Sequence, residues 1–431
     1  FSTSGTTSYA YQGGKIYLDG GVADRKFAGF AISTVTAPDA ITTTYYNQGD
    51  GINTALGEQS DGFGQINRPF RKDVLDLSET LVQRMYYRSD TNTASSSIFV
   101  GTGREMTFDY GTGGSHRDRA SEYVYATTSR DVISMTEYGQ VTGSADGTFS
   151  DTGTDKRTAV FAYTASSTAV SLPRTKTLFD NAGATTTDER YYYDGLALGS
   201  ATKGNRTKVE RLKSGSTYVS DQLAFNTYGL VASTTDPRGN ITTLTYDARN
   251  LYVATSTNPL SHQTQFYYDY TLGKPKQTID PNTRVFETTY DGLDRPLLEK
   301  QPDIASPGSL ASKKAYTYTD TVGSRKVVET NYLDSSTDFI VHTYLDGLDK
   351  VLQTRKEAEA TDEFVVRDFA YNPTTGLLKQ ESLPYFGTGS ARASATTNLP
   401  YLARYTYDPL KRILTLANAV GTTTSSYNQA T

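Results

Sequence analysis

The sequence predicts an all-β protein: a long antiparallel β-sheet made of consecutive hairpins, too long to stay flat and therefore coiled. Three observations predict it. A turn built from an aromatic residue followed by Asp or Asn recurs through the second half of the chain. A second turn, often carrying proline, lies about midway between successive copies. The segments between turns are short and alternating, rich in Thr, Val, Tyr and Leu, as in "ITTLTY", "TQFYYD" and "VFETTY".

The recurring unit is clearest in "FETTYDGLDRPLLEKQPD", where Tyr290-Asp291 opens the turn. In the same register stand "FNTYGL" from Phe225, "YDARNL" from Tyr246, "YDYTLGK" from Tyr268, "YTDTVGS" from Tyr318, "LDGLDK" from Leu345, "YNPTTGLL" from Tyr371 and "YDPLKRI" from Tyr407. "YDGLALG" from Tyr193 is an outlying member, and "YNQAT" from Tyr427 is a last partial copy. An Asp or Asn side chain accepts a hydrogen bond from an N–H two residues on, which closes a turn. This assigns turn closure to Asp247, Asp269, Asp291, Asp346, Asn372 and Asp408. Gly or Asn four or five places after the aromatic takes the left-handed conformation that ends a hairpin in a bulge. Asp294, Asp349 and Lys411 hold that place without being glycine, and lysine suits it least. Phe225, Tyr246, Tyr268, Tyr290, Tyr318, Tyr371 and Tyr407 are the anchors expected to pack between neighbouring strands. Truncating one, as in Tyr290→Ala, is expected to loosen its hairpin by a few kcal/mol.

The mid-unit turns start at Asp236, Asn258, Asp280 and Asn418. Proline at their second position presets the backbone at the first three of them in "TDPRGN", "TNPLSH" and "IDPNTR". Anchors are 21, 22 and 22 residues apart from Phe225 to Tyr290, then 28, 27, 26 and 36, so loops have been inserted toward the C-terminal end. Strands of ~7 residues make a ribbon about 23 Å wide, and each unit lengthens the sheet by about 9.6 Å. Such a period marks an array rather than a compact enzyme domain.

Three segments follow. Residues 223–431 are the repeat array. Residues 69–222 read as less regular strands, among them "RASEYVYATTS", "DVISMTEYGQV", "RTAVFAYTASS" and "DERYYYDG", with a loop over 143–157. Within this segment, Val74, Leu77, Leu81 and Met85 fit a helical face, but Thr80 and Tyr86-Tyr87 favour a hairpin turning at Ser78-Glu79. Residues 1–68 are rich in Gly, Ser and Thr, with short strands in "KIYLDGG" and "FAGFAIS". No linker separates the three.

Composition narrows the function classes. A net charge of −5 with interspersed signs lacks the electrostatic term that nucleic-acid binding needs. With no cysteine there is no disulfide, no thiolate catalysis and no Cys-ligated zinc. No apolar run approaches the length of a membrane span. The 33 Tyr and 17 Phe argue against disorder in a chain only 36% hydrophobic. Opening at Phe1 without Met, the chain reads as an internal fragment or a processed product.

No catalytic, cofactor or metal site is expected. Of the three histidines, His116 has Ser115, Asp118 and Ser121 close in sequence, but triad members converge from separate elements, so His116 reads as a turn or surface residue. His262 follows a proline turn; His342 carries no motif. The Gly-x-Gly of "VGTGREM" lacks a third glycine and a following helix. Asp146, Asp151 and Asp155, and the stretch 49–62, lack the ligand order of a calcium loop. Stacked tyrosines on a sheet can bind glycans, but their recurrence beside turns favours packing.

The repeat resembles the YD repeats of RHS-repeat proteins, on "TTDPRGNITTLTYDARN", "YYDYTLGKPKQTIDPN" and "TTYDGLDRPLLEKQPD". Residues 69–222, with "GTGREMTFDYGTGGSHRDRASEYVYATTSRDVISMTEYG", resemble the region preceding the repeats in B-component-like proteins of Tc-type toxin complexes. The resemblance implies a sheet spiralling into a hollow shell around a C-terminal cargo, secreted or at the cell surface, without enzymatic activity of its own. The implied partners are that cargo domain or neighbouring shell segments, with no cofactor. The family's self-cleaving core motif after the repeats is not found in this sequence. Its usual Gly-Arg after the turn is Asp294-Arg295 and Asp349-Lys350 here, and there is no Trp. The alternative implied is an extracellular structural or adhesive YD-repeat protein, with cell-surface glycans as the partner class.

Overall fold

A computed structural model describes residues 6–18, 25–49, 54–58, 61–92, 98–111, 114–144, 146–165, 171–306, 308–334, 336–393, 401–425 and 427. Residues 19–21 of "KIYLDGG", Asp50 and the end of "YNQAT" lie outside them. The described chain is all-β, with 31 strands in one antiparallel sheet and two single 3-10 turns. Strands β1 (Ser8–Leu18) to β8 (Val132–Gly143) pair in order, each with the next. From β10 (Arg157–Ala165) the same order continues to β26 (Glu363–Tyr371). Strand β14 (Thr217–Phe225) runs through the point where the regular repeats begin, so the sheet is continuous there. Residues 71–88 form the hairpin, not the helix: β4 (Pro69–Leu75) turns through Asp76–Thr80 into β5 (Leu81–Asn92), with Glu79 at φ 62.

The sheet forks twice. On its free side β8 pairs with β10 over Ser134–Glu137 and with the short β9 (Phe149–Asp151) over Val141–Gly143. That strand sits inside the segment read as a loop. Likewise β26 pairs with β28 (Tyr385–Thr388) over Glu363–Val366 and with β27 (Leu378–Ser382) over Phe369–Tyr371. The main path goes on from β27 to β29 (Tyr401–Tyr407), β30 (Ile413–Ala417) and β31 (Thr422–Thr424). Strands β1 and β31 do not pair, so the sheet is open.

A single layer has little interior. The chain exposes 25284 Å², whereas a compact protein of 47.1 kDa exposes about 16,000 Å². Most strand residues are only half-buried, at every position along Val231–Thr235 and Lys326–Tyr332 and in alternation with exposed ones along Ile241–Tyr246. No helix among the described residues is long and apolar enough to cross a membrane.

The sheet bends back on itself. Lys411, in the turn between β29 and β30, lies 3.7 Å from Asp39, in the turn between β2 (Arg25–Thr36) and β3 (Ile41–Tyr46). Strand directions alternate, so these two turns sit on opposite edges of the ribbon. One edge of the last strands meets the other edge of the first, as in a spiral.

Candidate functional site

The wall itself is the candidate site, and its turns set its geometry. Each four-residue repeat turn is closed twice by its Asp or Asn. Asp291 Oδ1 accepts the N–H groups of Leu293 and Arg295, both at 2.9 Å. Asp346 does the same for Leu348 and Lys350, and Asp247 for Arg249 and Leu251. Asp408 Oδ1 accepts from Arg412 N–H at 2.8 Å, and its Oδ2 from Arg412 Nε at 2.6 Å. Asn372 takes Thr374 and Thr375, and Asp269 takes Thr271 at 2.8 Å. The second bond, four residues on, was missing from the sequence reading. The mid-unit turns at Asp236, Asn258 and Asp280 use the same pair of bonds. The Arg295 N–H, followed by its guanidinium and the Leu293 N–H, holds the Asp291 carboxyl below the usual carboxylate range.

Left-handed residues end these turns at Gly229, Asn250, Asp294, Asp349 and Lys411, with φ of 79, 53, 71, 62 and 64. The sheet register slips beside every anchor but Tyr318, for example between Thr289 and Tyr290, which is the bulge such a turn requires. A lysine there is strained. Lys411→Gly is expected to stabilise the last hairpin by about 0.5–1 kcal/mol. Its ion pair with Asp39, long at 3.7 Å and with the lysine exposed, contributes little to offset this. A raised denaturant midpoint for Lys411→Gly, absent in Lys411→Ala, checks it.

The anchors are half-buried and tie adjacent strands together. The Tyr246 hydroxyl donates to the Val231 carbonyl at 2.8 Å, Tyr290 to Pro275 at 2.9 Å and Tyr318 to Pro296 at 2.9 Å. Tyr371 donates to Val351 at 3.1 Å and Tyr407 to Leu378 at 2.8 Å. Each bond reaches the start of the neighbouring strand, beside the previous repeat turn. Upstream, Tyr193 donates to Pro173 at 2.7 Å and Tyr163 to Val132 at 2.8 Å, so the device extends beyond the regular repeats. Tyr268 instead stacks on Tyr252, with centroids 4.5 Å apart. Phe225 has no hydroxyl to give; it pairs with Val231 across the strands. Because the Tyr290 ring is only half-buried, Tyr290→Ala is expected to cost about 1–2 kcal/mol, and Tyr290→Phe about 1 kcal/mol for the lost bond. Equal losses in both variants would assign the anchor's role to the hydroxyl alone.

At the two forks the sheet gains a cover. Strand β28 pairs with β26, and residues 388–393 that follow from it are held by side chains of β24 (Asp338–Leu345) and β25 (Val351–Glu357). Arg355 donates to the Thr388 carbonyl at 2.7 Å, Gln353 to Ala393 at 3.1 Å and Tyr344 to Ser390. His342 is buried directly opposite Arg355, with its Nδ1 unpaired. Burial, with Lys326 and Arg355 nearby, holds its pKa below the ordinary value, against an opposing pull from Glu357. The unfolded or opened form therefore binds the proton more readily, and stability is lost as pH falls below about 6.5. Amide protection in β28 is expected to fall between pH 7.5 and 5, and His342→Gln to remove that dependence.

The other candidates resolve into structure. His116 contacts Asp118 and the rings of Phe108 and Tyr110, and the buried Asp118 also accepts the Gly143 N–H at 2.7 Å. His262 ends the Asn258 turn. The Gly-x-Gly lies in strand β6 (Phe99–Tyr110), where a Cβ would meet Tyr125 at Gly101 and the Asp90 carboxylate at Gly103. The three loop carboxylates go separate ways: Asp146 to Thr148, Asp151 to Lys156 and Asp155 to the Gln140 N–H. Asp61 accepts the Gly49 N–H. Burial alone would raise the Asp194 pKa, but four N–H groups, of Gly204, Thr202, Asn205 and Lys203, bring it down to about 2. Beside that loop is a groove of about 890 Å³, lined by Tyr192, Lys208, Gln222 and Phe225 among others.

Solved structures share this fold. Over 96% of its length the chain matches the crystal structure of TcdB2-TccC3, with a TM-score of 0.73 at 13% identity, covering 30% of that chain. The structure of TcdB2-TccC3-Cdc42 matches over 96% with a TM-score of 0.73 at 11% identity, covering 32% of that chain. A Photorhabdus luminescens Tc holotoxin pore structure matches over 96% with a TM-score of 0.71 at 11% identity, covering 32% of that chain. The chain thus spans about a third of the length of these structures. No family model and no curated protein matches the sequence.

Proposed function

We propose that this chain, whose fold is that of the Tc toxin β-shell, is a length of wall in a secreted toxin-type protein that encloses a cargo segment. The observation that carries the reading is a single open layer, continuous over 31 strands and bent until its two edges meet. A wall needs those properties, and a compact enzyme or a stack of binding modules does not. Its contribution is physical rather than catalytic. From β3 to β29 the main path takes about 24 strand-to-strand steps, about 115 Å at the usual spacing. One such turn encloses a space about 37 Å across between wall centres, or about 27 Å once about 5 Å of side chains is removed on each side. That is room for a polypeptide held apart from solvent.

The test is protease protection in the complete natural protein. A segment encoded downstream of this wall is expected to survive proteolysis in the intact protein and to be digested once the wall is denatured. Equal digestion in both conditions would sink the enclosing role and favour the surface-displayed, adhesive reading, for which a glycan-array signal would then be sought.

A further inference from the structure

The repeat turns carry apolar tips. In the four-residue turns the third position is Tyr228, Arg249, Leu293 and Leu348 on one edge of the ribbon, and Arg238, Leu260 and Asn282 on the other, where Val420 also tips a shorter turn. The apolar ones, Tyr228, Leu293, Leu348, Leu260 and Val420, are 70, 70, 71, 74 and 97% exposed. Single exposed apolar residues need no explanation. Recurrence at one turn position does, because nothing in turn chemistry requires an aliphatic residue there.

The chain contains its own control. Leu410 holds the same position in the turn that approaches the β2–β3 turn, and it is half-buried rather than exposed. In the same turn Asp408 is 8% exposed, the one buried carboxylate among the turn-closing residues described in the repeat array. The ion pair of Lys411 with Asp39 marks the contact. The tip is therefore covered where another edge of the sheet arrives and bare elsewhere.

We infer that the exposed turn tips form a coil-to-coil seam: Tyr228, Leu293 and Leu348 on one edge dock the opposite turn edge of a further coil of the same kind of sheet. The seam is head-to-tail, because the internal contact joins unlike edges. Apolar tips supply its attraction, and pairs like Lys411 with Asp39 set its register. This partner, a neighbouring wall segment, rests on the shell-wall reading. A cargo or a lipid surface would instead meet a face of the sheet, not its edge.

The absence of native cysteine makes the test clean. Asp39→Cys/Lys411→Cys in one chain is expected to be joined by a short bismaleimide within the monomer. A copy carrying Leu293→Cys, mixed with a copy carrying Leu260→Cys, is expected to cross-link between molecules, since each copy offers both edges. Leu293→Cys alone is expected to give few homodimers. Adding Leu348→Asp and Tyr228→Asp to the Leu293→Cys copy should cut the mixed product by about tenfold or more, the effect of losing one buried apolar side chain. If the internal link forms but the mixed copies do not link, or Leu293→Cys links equally to itself, the seam is overturned while the coiled wall stands. If the internal link itself fails, the coiling on which both readings depend is wrong.

Discussion

Replacing Asp73 with alanine is expected to destabilise the pre-repeat sheet by about 3–5 kcal/mol, the cost of leaving buried cations without their counter-charge. Asp73 on β4 is 5% exposed. It receives Arg71 through Nε and Nη2 and Arg84 through Nε and Nη2, at 2.5–3.1 Å. Arg71 is itself buried and lies over the Tyr45 ring, 4.8 Å from its centroid. Burial would raise the Asp73 pKa, but the two guanidinium groups outweigh it and hold the carboxyl below its usual value. The stabilisation is therefore complete above the ordinary carboxylate range and disappears as pH falls through the lowered value of the folded form. Hydrogen exchange along β4 and β5, with the denaturant midpoint, reads the effect. A loss under about 1 kcal/mol would mean that water or a rearranged partner compensates both arginines.

Nothing in the sequence announced that cluster. Arg71, Asp73 and Arg84 become neighbours through strand pairing, with Asp73 opposite Arg84, and a stretch without repeats offers no register from which to read it. The turns were legible for the opposite reason. An Asp or Asn that closes a turn and a residue that tolerates positive φ are local requirements, repeated with a nearly constant period. Lys411 shows the logic holding against propensity, since it adopts φ 64 despite its side chain. The anchor tyrosines were readable as packing residues, but their hydroxyl partners were not, because those depend on a neighbouring strand. The forks were invisible for a third reason. The 36-residue spacing before Tyr407 marked an insertion, yet β28 is four residues long, preceded by Pro384 and followed by Gly389 and Ser390. Its place is fixed by its pairing with Glu363–Val366 and by the Arg355 bond to the Thr388 carbonyl, not by its own pattern.

Those forks explain how a one-layer wall holds together. A repeat hairpin alone buries one face incompletely and is marginal. Stability of an array comes from neighbour-to-neighbour terms, here the anchor hydroxyl bonds and half-buried rings. Where the period fails, in residues 69–222 and again near β26, a returning segment covers the sheet and makes a small local core.

Phe108→Ala tests that division of labour, with an expected cost of about 3–5 kcal/mol. Phe108 is 3% exposed in a cluster with Tyr86, Met106, Ala120 and Val141. Its ring meets Tyr86 edge-on at 5.7 Å and His116 at 5.0 Å. The end of β8 closes over it at Gly143, where an added Cβ would stand 2.8 Å from the Phe108 ring. Glycine is therefore needed there for close approach, not for turning. Truncation leaves a cavity that the β-sheet on one side and the cover on the other cannot both fill. The repeat anchor Tyr290, half-buried and uncovered, should cost less than half as much when cut to alanine. The comparison is made in one background by denaturant unfolding, with exchange followed separately in β6 and in the strand ending at Tyr290. A larger loss at Phe108, confined to β4–β9, shows that the covered patches are the staples of the wall. Equal losses, or loss of protection along the whole sheet from either variant, would show instead that stability is shared evenly and the covers are incidental.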